Sequence, residues 1–345
     1  MEVTQRRTVK RYSSGTFTVY RIPIECFPNH ITNVYLIVGI GLALIDTGFE
    51  TEKSRKDLAE GFRIIQSEFK EAVALEDISD IVITHGHIDH FGMIGHEAFA
   101  KKNIYIHEHD SDIIRDYHVR IGNSLERIDG FLKTTGVSDM LREGALELYR
   151  SDMIQFKPIL SGNRVIDLHD NDEIIEGYRV YHTPGHAPGA ICLEVGDFLF
   201  TGDHLLSTIT PVQSPGSLTR GVGLRLYQDS LKTIGRAFRE KKSYGLPGHE
   251  GEIYPISDRV EEILQFHEER LEAVALICRD PKSIYDITVA YFSSFQPQVF
   301  ANPDTPDSHK LLALFEIGAH VEYLEEAERL GRVGKIGRAS CRERV

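Results

Sequence analysis

The chain has 345 residues, enough for one large domain with a smaller one, or for two of middling size. Hydrophobic residues make up 41% and charged residues 26%, a globular balance that excludes wholesale disorder. Fifty-two acids against 39 Lys and Arg give a net charge of −13, which opposes broad neutralisation of nucleic-acid phosphates.

The start, Met1–Tyr12, is basic and polar and lacks the apolar core of a signal peptide. No apolar run reaches the ~18 residues of a membrane helix, so a cytoplasmic protein with no membrane partner is expected. Cys26, Cys192, Cys278 and Cys341 are scattered without C-x-x-C spacing, which predicts neither a disulfide framework nor a cysteine zinc site. Val34–Val38 and Leu42–Ile45 read as strands around a turn at Gly39–Gly41. Glu52–Phe69 has apolar residues at helical spacing (Leu58, Phe62, Ile65, Phe69). Ile81–Ile83 and Ile104–Ile106 read as short buried strands. Ser111–Phe156 reads as helical, with breaks near Gly122, Gly136 and Gly144. Strands return at Arg179–His182, Ala190–Val195 and Phe198–Phe200. Strands, helices and strands again point to an α+β fold over residues 1–255: two sheets covered by helices, a four-layer αβ/βα sandwich. Periodicity alone leaves other α/β arrangements open.

After Pro255 the pattern becomes helical. Val260, Ile263, Leu264, Leu271, Val274 and Ile277 form one stripe, and Ser283 with Asp286 resembles a capping box opening a second helix. Phe295–Ser308 reads as a loop, and a third helix carries Leu311, Leu312, Leu314, Phe315, Val321 and Leu324. Three helices ending in Gly331-Arg332-Val333 resemble a small C-terminal winged-helix-like α domain over residues 256–334, with its wing hairpin cut off. Residues 335–345, KIGRASCRERV, resemble a translated sequencing adapter and are read as an artefactual tail on a gene truncated near Gly334.

The strongest chemical signal is His85-Gly86-His87-Ile88-Asp89-His90, immediately after the Ile81–Ile83 strand. His85 and His87, two apart in extended chain, can point the same way and share one metal, while Asp89 and His90 face a second. Imidazole with carboxylate suits zinc, with iron or manganese as competitors. His186 in a His-Thr-Pro-Gly-His turn, Asp203 after a strand and His249 after Leu246-Pro247-Gly248 occupy further loops that can reach a shared mouth.

These four segments resemble the metallo-β-lactamase-fold hydrolase superfamily, whose signature is an HxHxDH loop followed by separate His, Asp and His ligands. The resemblance covers roughly residues 15 to 255. It implies two zinc ions per chain, one held by His85, His87 and His186, the other by Asp89, His90 and His249, with Asp203 bridging. It also implies that Asp46, in Leu44-Ile45-Asp46-Thr47-Gly48, supports the site without binding metal. His87 stands where diiron oxygen-reducing relatives carry Glu, which favours hydrolysis over redox chemistry. The implied reaction is attack on an ester-type bond by a hydroxide held between the cations, with Asp89 as the catalytic residue that orients it or passes its proton to the leaving group.

The C-terminal helices resemble the winged-helix appendage of β-lactamase-like protein 2 and its bacterial relatives, whose animal member is an endoribonuclease for single strands. Three functions are therefore weighed. The expected one is hydrolysis of a small-molecule thioester or carboxylic ester. The alternatives are an endoribonuclease, and a nucleic-acid-binding regulator with a relict hydrolase domain. Between Ser308 and Leu330 two cations, Lys310 and Arg329, face five acids, Glu316, Glu322, Glu325, Glu326 and Glu328, which disfavours nucleic acid. Arg220, Arg225 and Lys232 remain candidates for a local anionic-substrate groove. The terminal unit is expected to pack on the core, shape the substrate mouth or mediate a homodimer. His204 is left between a substrate contact and a structural role, and His182 is expected to support its turn.

Overall fold

Alternation of apolar and polar residues along Phe17–Phe27, half-buried at every second position, sets the first sheet. A computed structural model describes residues 8–153, 162–295, 307–333 and 338–341. In chain order the first sheet contains β1 (Lys10–Ser14), β2 (Phe17–Phe27), β3 (His30–Val38) and β4 (Leu42–Ile45) as an antiparallel meander. It continues in parallel through β5 (Asp80–Val82), β6 (Asn103–His107) and β7 (Arg164–Leu168). Its outer face is covered by α1 (Glu52–Glu68), the single turn α2 (Ile88–Phe91) and α3 (Glu108–Arg115), followed by α4 (Tyr117–Thr135) and α5 (Asp139–Met153). Helix α1 starts where Thr51 accepts from the Ser54 N–H, and it buries Leu58, Phe62 and Ile65.

The second sheet is β8 (Glu173–Ile175), β9 (Tyr178–His182), β10 (Ile191–Val195), β11 (Phe198–Gly202) and β12 (Tyr244–Pro247), with α6 (Leu224–Ala237) between its last two strands. Strand β12 runs parallel to β11 at the sheet edge, the position where its Pro247 costs no ladder bond. The inner faces of both sheets meet in one core containing Val19, Ile37, Ile45 and Val82 from the first and Val180, Leu193 and Phe200 from the second. Helix, sheet, sheet, helix: the four-layer sandwich is present.

Three further helices follow: α7 (Ile256–Ile277), α8 (Ile284–Phe295) and α9 (Asp307–Glu326). Ser283 and Asp286 cap α8 reciprocally, as their spacing predicts. The core under the second sheet crosses position 255 without a break, joining Leu199, Leu231 and Ile234 to Val260, Leu271, Ile287 and Ile317. A small third sheet, β13 (Lys282–Ser283), β15 (Arg338–Cys341) and β14 (Leu330–Val333), lies beside these helices. The hairpin expected to be cut off thus has a return strand, and that strand lies inside the 335–345 tail. Ladder pairing uses backbone groups that every non-proline residue carries, so it is independent of where those residues came from.

Two expectations need correction. Gly122 and Gly144 lie inside α4 and α5 and break neither, because packing outweighs the ~1 kcal/mol that a glycine costs within a helix. Gly136 alone ends a helix, in the left-handed conformation at φ 84°. The expected loop 295–308 falls largely outside the described residues, and its ends belong to α8 and α9. Among the described residues no helix is long and apolar enough to cross a membrane.

Candidate metal centre

Strands β4, β5, β11 and β12 all end at one rim, and the chain leaves each of them as a turn carrying polar side chains. His85 follows β5, His87 precedes the turn of α2, and Asp89 and His90 lie within it. His186 sits in the turn between β9 and β10, Asp203 directly after β11 and His249 just after β12. All seven converge. His85, His87, His186 and Asp203 bring one ligand atom each within 4.8 Å of one another, and so do His90, Asp203 and His249. Asp203 belongs to both groups: its Oδ2 lies 3.7 Å from His186 Nε2 and 3.3 Å from His249 Nε2, and its Oδ1 lies 3.4 Å from His90 Nε2. Asp89 Oδ2 stands 3.5 Å from His90 Nε2 and 3.4 Å from His249 Nε2. Gly248 makes this approach feasible, since a Cβ there would come within 2.6 Å of His90 Cε1 and 2.7 Å of Asp203 Oδ1.

The far side of each imidazole fixes its tautomer. His186 Nδ1 donates to the Val212 carbonyl at 2.9 Å, and His249 Nδ1 donates to the Ile31 carbonyl at 2.7 Å. His90 Nδ1 donates to Asp46 at 2.7 Å. Asp46, at φ 59°, also accepts from both the backbone N–H and the hydroxyl of Thr84 at 2.8 Å, which places it behind the metal loop and outside the cluster. Because carbonyls and carboxylates only accept, each of the three inward Nε2 atoms carries a lone pair whenever its ring is neutral. His90 Nε2, His186 Nε2 and Asp203 Oδ1 are buried without a hydrogen-bond partner. Buried polar atoms are rarely left so, and nitrogen and oxygen lone pairs aimed at one space are what a divalent cation of the zinc type binds. The residues present fit such a group.

The two halves of the cluster differ in charge: burial alone would lower His90 and His249, but Asp89 and Asp203 outweigh it and push both up toward the protonated form, the positive charge a bound cation would replace. Burial pushes His85 and His186 down, and His87 down to about 3, keeping these rings neutral. Burial alone would raise Asp89 and Asp203, but the neighbouring His90 and His249 outweigh it and hold both carboxylates ionised, well below their usual range.

Sequence reasoning missed His30. At the start of β3, its Nε2 lies 2.8 Å from Asp89 Oδ2, and its ring centroid lies 4.5 Å from that of His249. No motif marks it. His204 packs its ring against Tyr227, away from the metal cluster's cavity, and His182 stacks on His107 while bonding the Pro188 carbonyl. Arg225 pairs with Glu326 and Lys232 with Asp229, and neither they nor Arg220 line the cavity, so the expected basic groove is not formed by them.

The cluster opens into a cavity of about 550 Å³. Its walls are mostly apolar, with Phe27, Phe91, Ile121, Leu206 and Leu218 from the sandwich and Leu312 and Phe315 from α9. Helix α9 also holds the loop that carries Val212. Glu316 Oε2 accepts from Gln213 N–H at 2.7 Å, Glu322 accepts from the N–H groups of Gly216 and Ser217, and Arg270 of α7 pairs with Glu316. The trio His267, Glu316 and His320 has metal-ligand spacing too, but the Arg270 guanidinium already occupies Glu316.

Comparison with known proteins agrees with this geometry. The family profile described as Metallo-beta-lactamase superfamily matches residues 28–249. The probable metallo-hydrolase YqjP of Bacillus subtilis is 26% identical over 317 residues, 86% of this chain and 88% of that protein. The metallo-beta-lactamase fold-containing protein ST1585 of Sulfurisphaera tokodaii is 25% identical over 228 residues, 63% of this chain and 72% of its own. Among solved structures, the metallo-beta-lactamase family protein TTHA1429 from Thermus thermophilus superposes with a TM-score of 0.72 at 25% identity, over 94% of this chain and 98% of its own. A β-lactamase domain protein from Burkholderia ambifaria, at 19% identity, shares the fold with a TM-score of 0.73 over 99% of this chain and 96% of its own. Both superpositions extend past residue 255 into the C-terminal helices.

Proposed function

The chain belongs to the metallo-β-lactamase superfamily as a metallo-hydrolase of that fold, and from this premise we propose that it cleaves the thioester or carboxylic ester bond of a small molecule, using two zinc ions. His85, His87 and His186 would hold one ion, Asp89, His90 and His249 the other, and Asp203 both. Bound there, the cations supply polarisation of the scissile carbonyl and a supply of nucleophilic water near neutral pH. Asp89, with His30 at 2.8 Å and the Thr32 hydroxyl at 3.3 Å from its Oδ2, would take the proton of the attacking water and return it to the leaving group. His30 holds that carboxylate in position. Phe27, Leu218 and Phe315 exclude bulk water around it.

The observation that carries the ester reading is the apolar cavity, whose ~550 Å³ is the size of a small-molecule site. Single-stranded RNA calls instead for a basic track along its phosphates, and the described lining, though it has aromatic rings, carries Arg120 alone as a permanent cation. We read α7, α8 and α9 with their small sheet as a winged-helix-like unit that acts as a wall of this cavity. Residues 313–321 of α9 are buried throughout, so the helix has no free face for a DNA groove, and this argues against the regulator. Metal-loaded protein should turn over S-lactoylglutathione, acyl-CoA or para-nitrophenyl esters, with Asp203→Ala as the inactive control. Cleavage of RNA with no ester turnover would refute the reading.

A further inference from the structure

Helix α4 turns one side to the cavity, and Tyr117, Arg120, Ile121, Ser124 and Ile128 on that side follow the three- and four-residue spacing of one helix face. Arg120 is the one permanent cation in the cavity's described lining, beside Asp89, Asp110 and Asp203. It is half-buried, and among the described residues no carboxylate forms an ion pair with it and no aromatic ring lies under it. Asp110 is held by the backbone, accepting from the Gly86 N–H at 2.8 Å, and feels the Arg120 charge through space without forming an ion pair with it. Ser124 is spent on the Arg120 carbonyl at 3.0 Å.

A guanidinium drawn partly out of water with no carboxylate in direct contact is only partly compensated, and an arriving anion relieves that cost. We propose that Arg120 forms an anion subsite at the substrate end of the cavity, and that the substrate is an ester or thioester whose apolar acyl body carries one carboxylate or similar anion remote from the scissile bond. The substrate's identity as an ester rests on the hydrolase reading above; the subsite itself does not. One cation among apolar walls matches a single anionic group, whereas a polynucleotide would need several.

The test pairs turnover with binding. Kinetics with the para-nitrophenyl ester of octanoate and the mono-para-nitrophenyl ester of suberate are measured on wild type, Arg120→Met and Arg120→Lys. Calorimetry then measures the binding of octanamide, which has no charge, and of the suberate form, suberic acid monoamide, which has one free carboxylate, to the same proteins. Wild type should favour the suberate form by about 10- to 100-fold in both kcat/KM and affinity, the range of a charge-assisted hydrogen bond. The preference should fall to about one in Arg120→Met and return in part in Arg120→Lys. Equal handling of the two ligands by wild type, or a preference that survives Arg120→Met, overturns the proposal. Should Arg120→Met fail to fold, the wild-type preference and Arg120→Lys decide the matter. Arg120-dependent binding of suberic acid monoamide without ester turnover upholds the subsite and overturns the hydrolase reading.

Discussion

Glu316 and His186 sit at opposite ends of a single peptide group. The N–H of Gln213 donates to the Glu316 carboxylate, and the carbonyl of the same Val212–Gln213 peptide accepts from His186 Nδ1. In a trans peptide these two bonds point in opposite directions, so the carboxylate polarises the amide and the amide in turn raises the basicity of His186. Carboxylate support of a candidate ligand imidazole is thereby delivered across one backbone unit from a C-terminal helix. Glu316→Ala should weaken metal binding by about 10- to 100-fold, read by chelator competition, with Glu316→Gln recovering part of the loss. Unchanged affinity in Glu316→Ala would show that the chain of bonds carries no coupling.

Asp203 and His87 differ in reach. Asp203 belongs to both ligand groups and His87 to one. Asp203→Ala should therefore empty the whole centre and abolish turnover, whereas His87→Ala should retain roughly half the wild-type metal content. Elemental analysis after gel filtration measures this. Equal losses in the two variants would contradict the bridging role.

Asp46 holds His90 Nδ1 and two donors of Thr84 in a fully buried setting. Asp46→Ala strands these donors, each at a cost of about 1–3 kcal/mol. Urea denaturation should show a loss of several kcal/mol, and metal affinity should fall alongside it. Asp46→Asn should destabilise less, since its amide oxygen still accepts.

His267 predicts a pH effect on stability. Burial, with the Arg270 charge beside it, pushes its pKa down to about 3, whereas in the unfolded chain it titrates near ~6.5. Between these values the unfolded state binds a proton that the folded state refuses. Stability contributed by neutral His267 is thus complete above pH ~6.5 and declines as pH falls, by at most ~1.4 kcal/mol per pH unit. His267→Leu should flatten that slope in urea titrations between pH ~6 and ~4; an unaltered slope would refute the assignment.

The metal loop was legible because its residues are contiguous and follow a short apolar strand, so periodicity located the strand and spacing the ligands. His186, Asp203 and His249 were found through their turns. His30, Arg120 and Glu316 were not, since each is a lone polar residue whose role depends on what the fold carries to it from far along the chain. Glu316 and Glu322 counted in the sequence only as charge repelling phosphates, yet both spend that charge on loop N–H groups. Strand β12 was hidden by its Gly245 and Pro247, residues that signal turns but are tolerated at a sheet edge.

Anomalous diffraction at the zinc edge from zinc-loaded crystals tests the dinuclear site most directly. Two peaks flanking the Asp203 carboxylate, one against His85, His87 and His186 and the other against Asp89, His90 and His249, are the predicted result. A blank map at that carboxylate, or density confined to the His267–His320 pair, would contradict it.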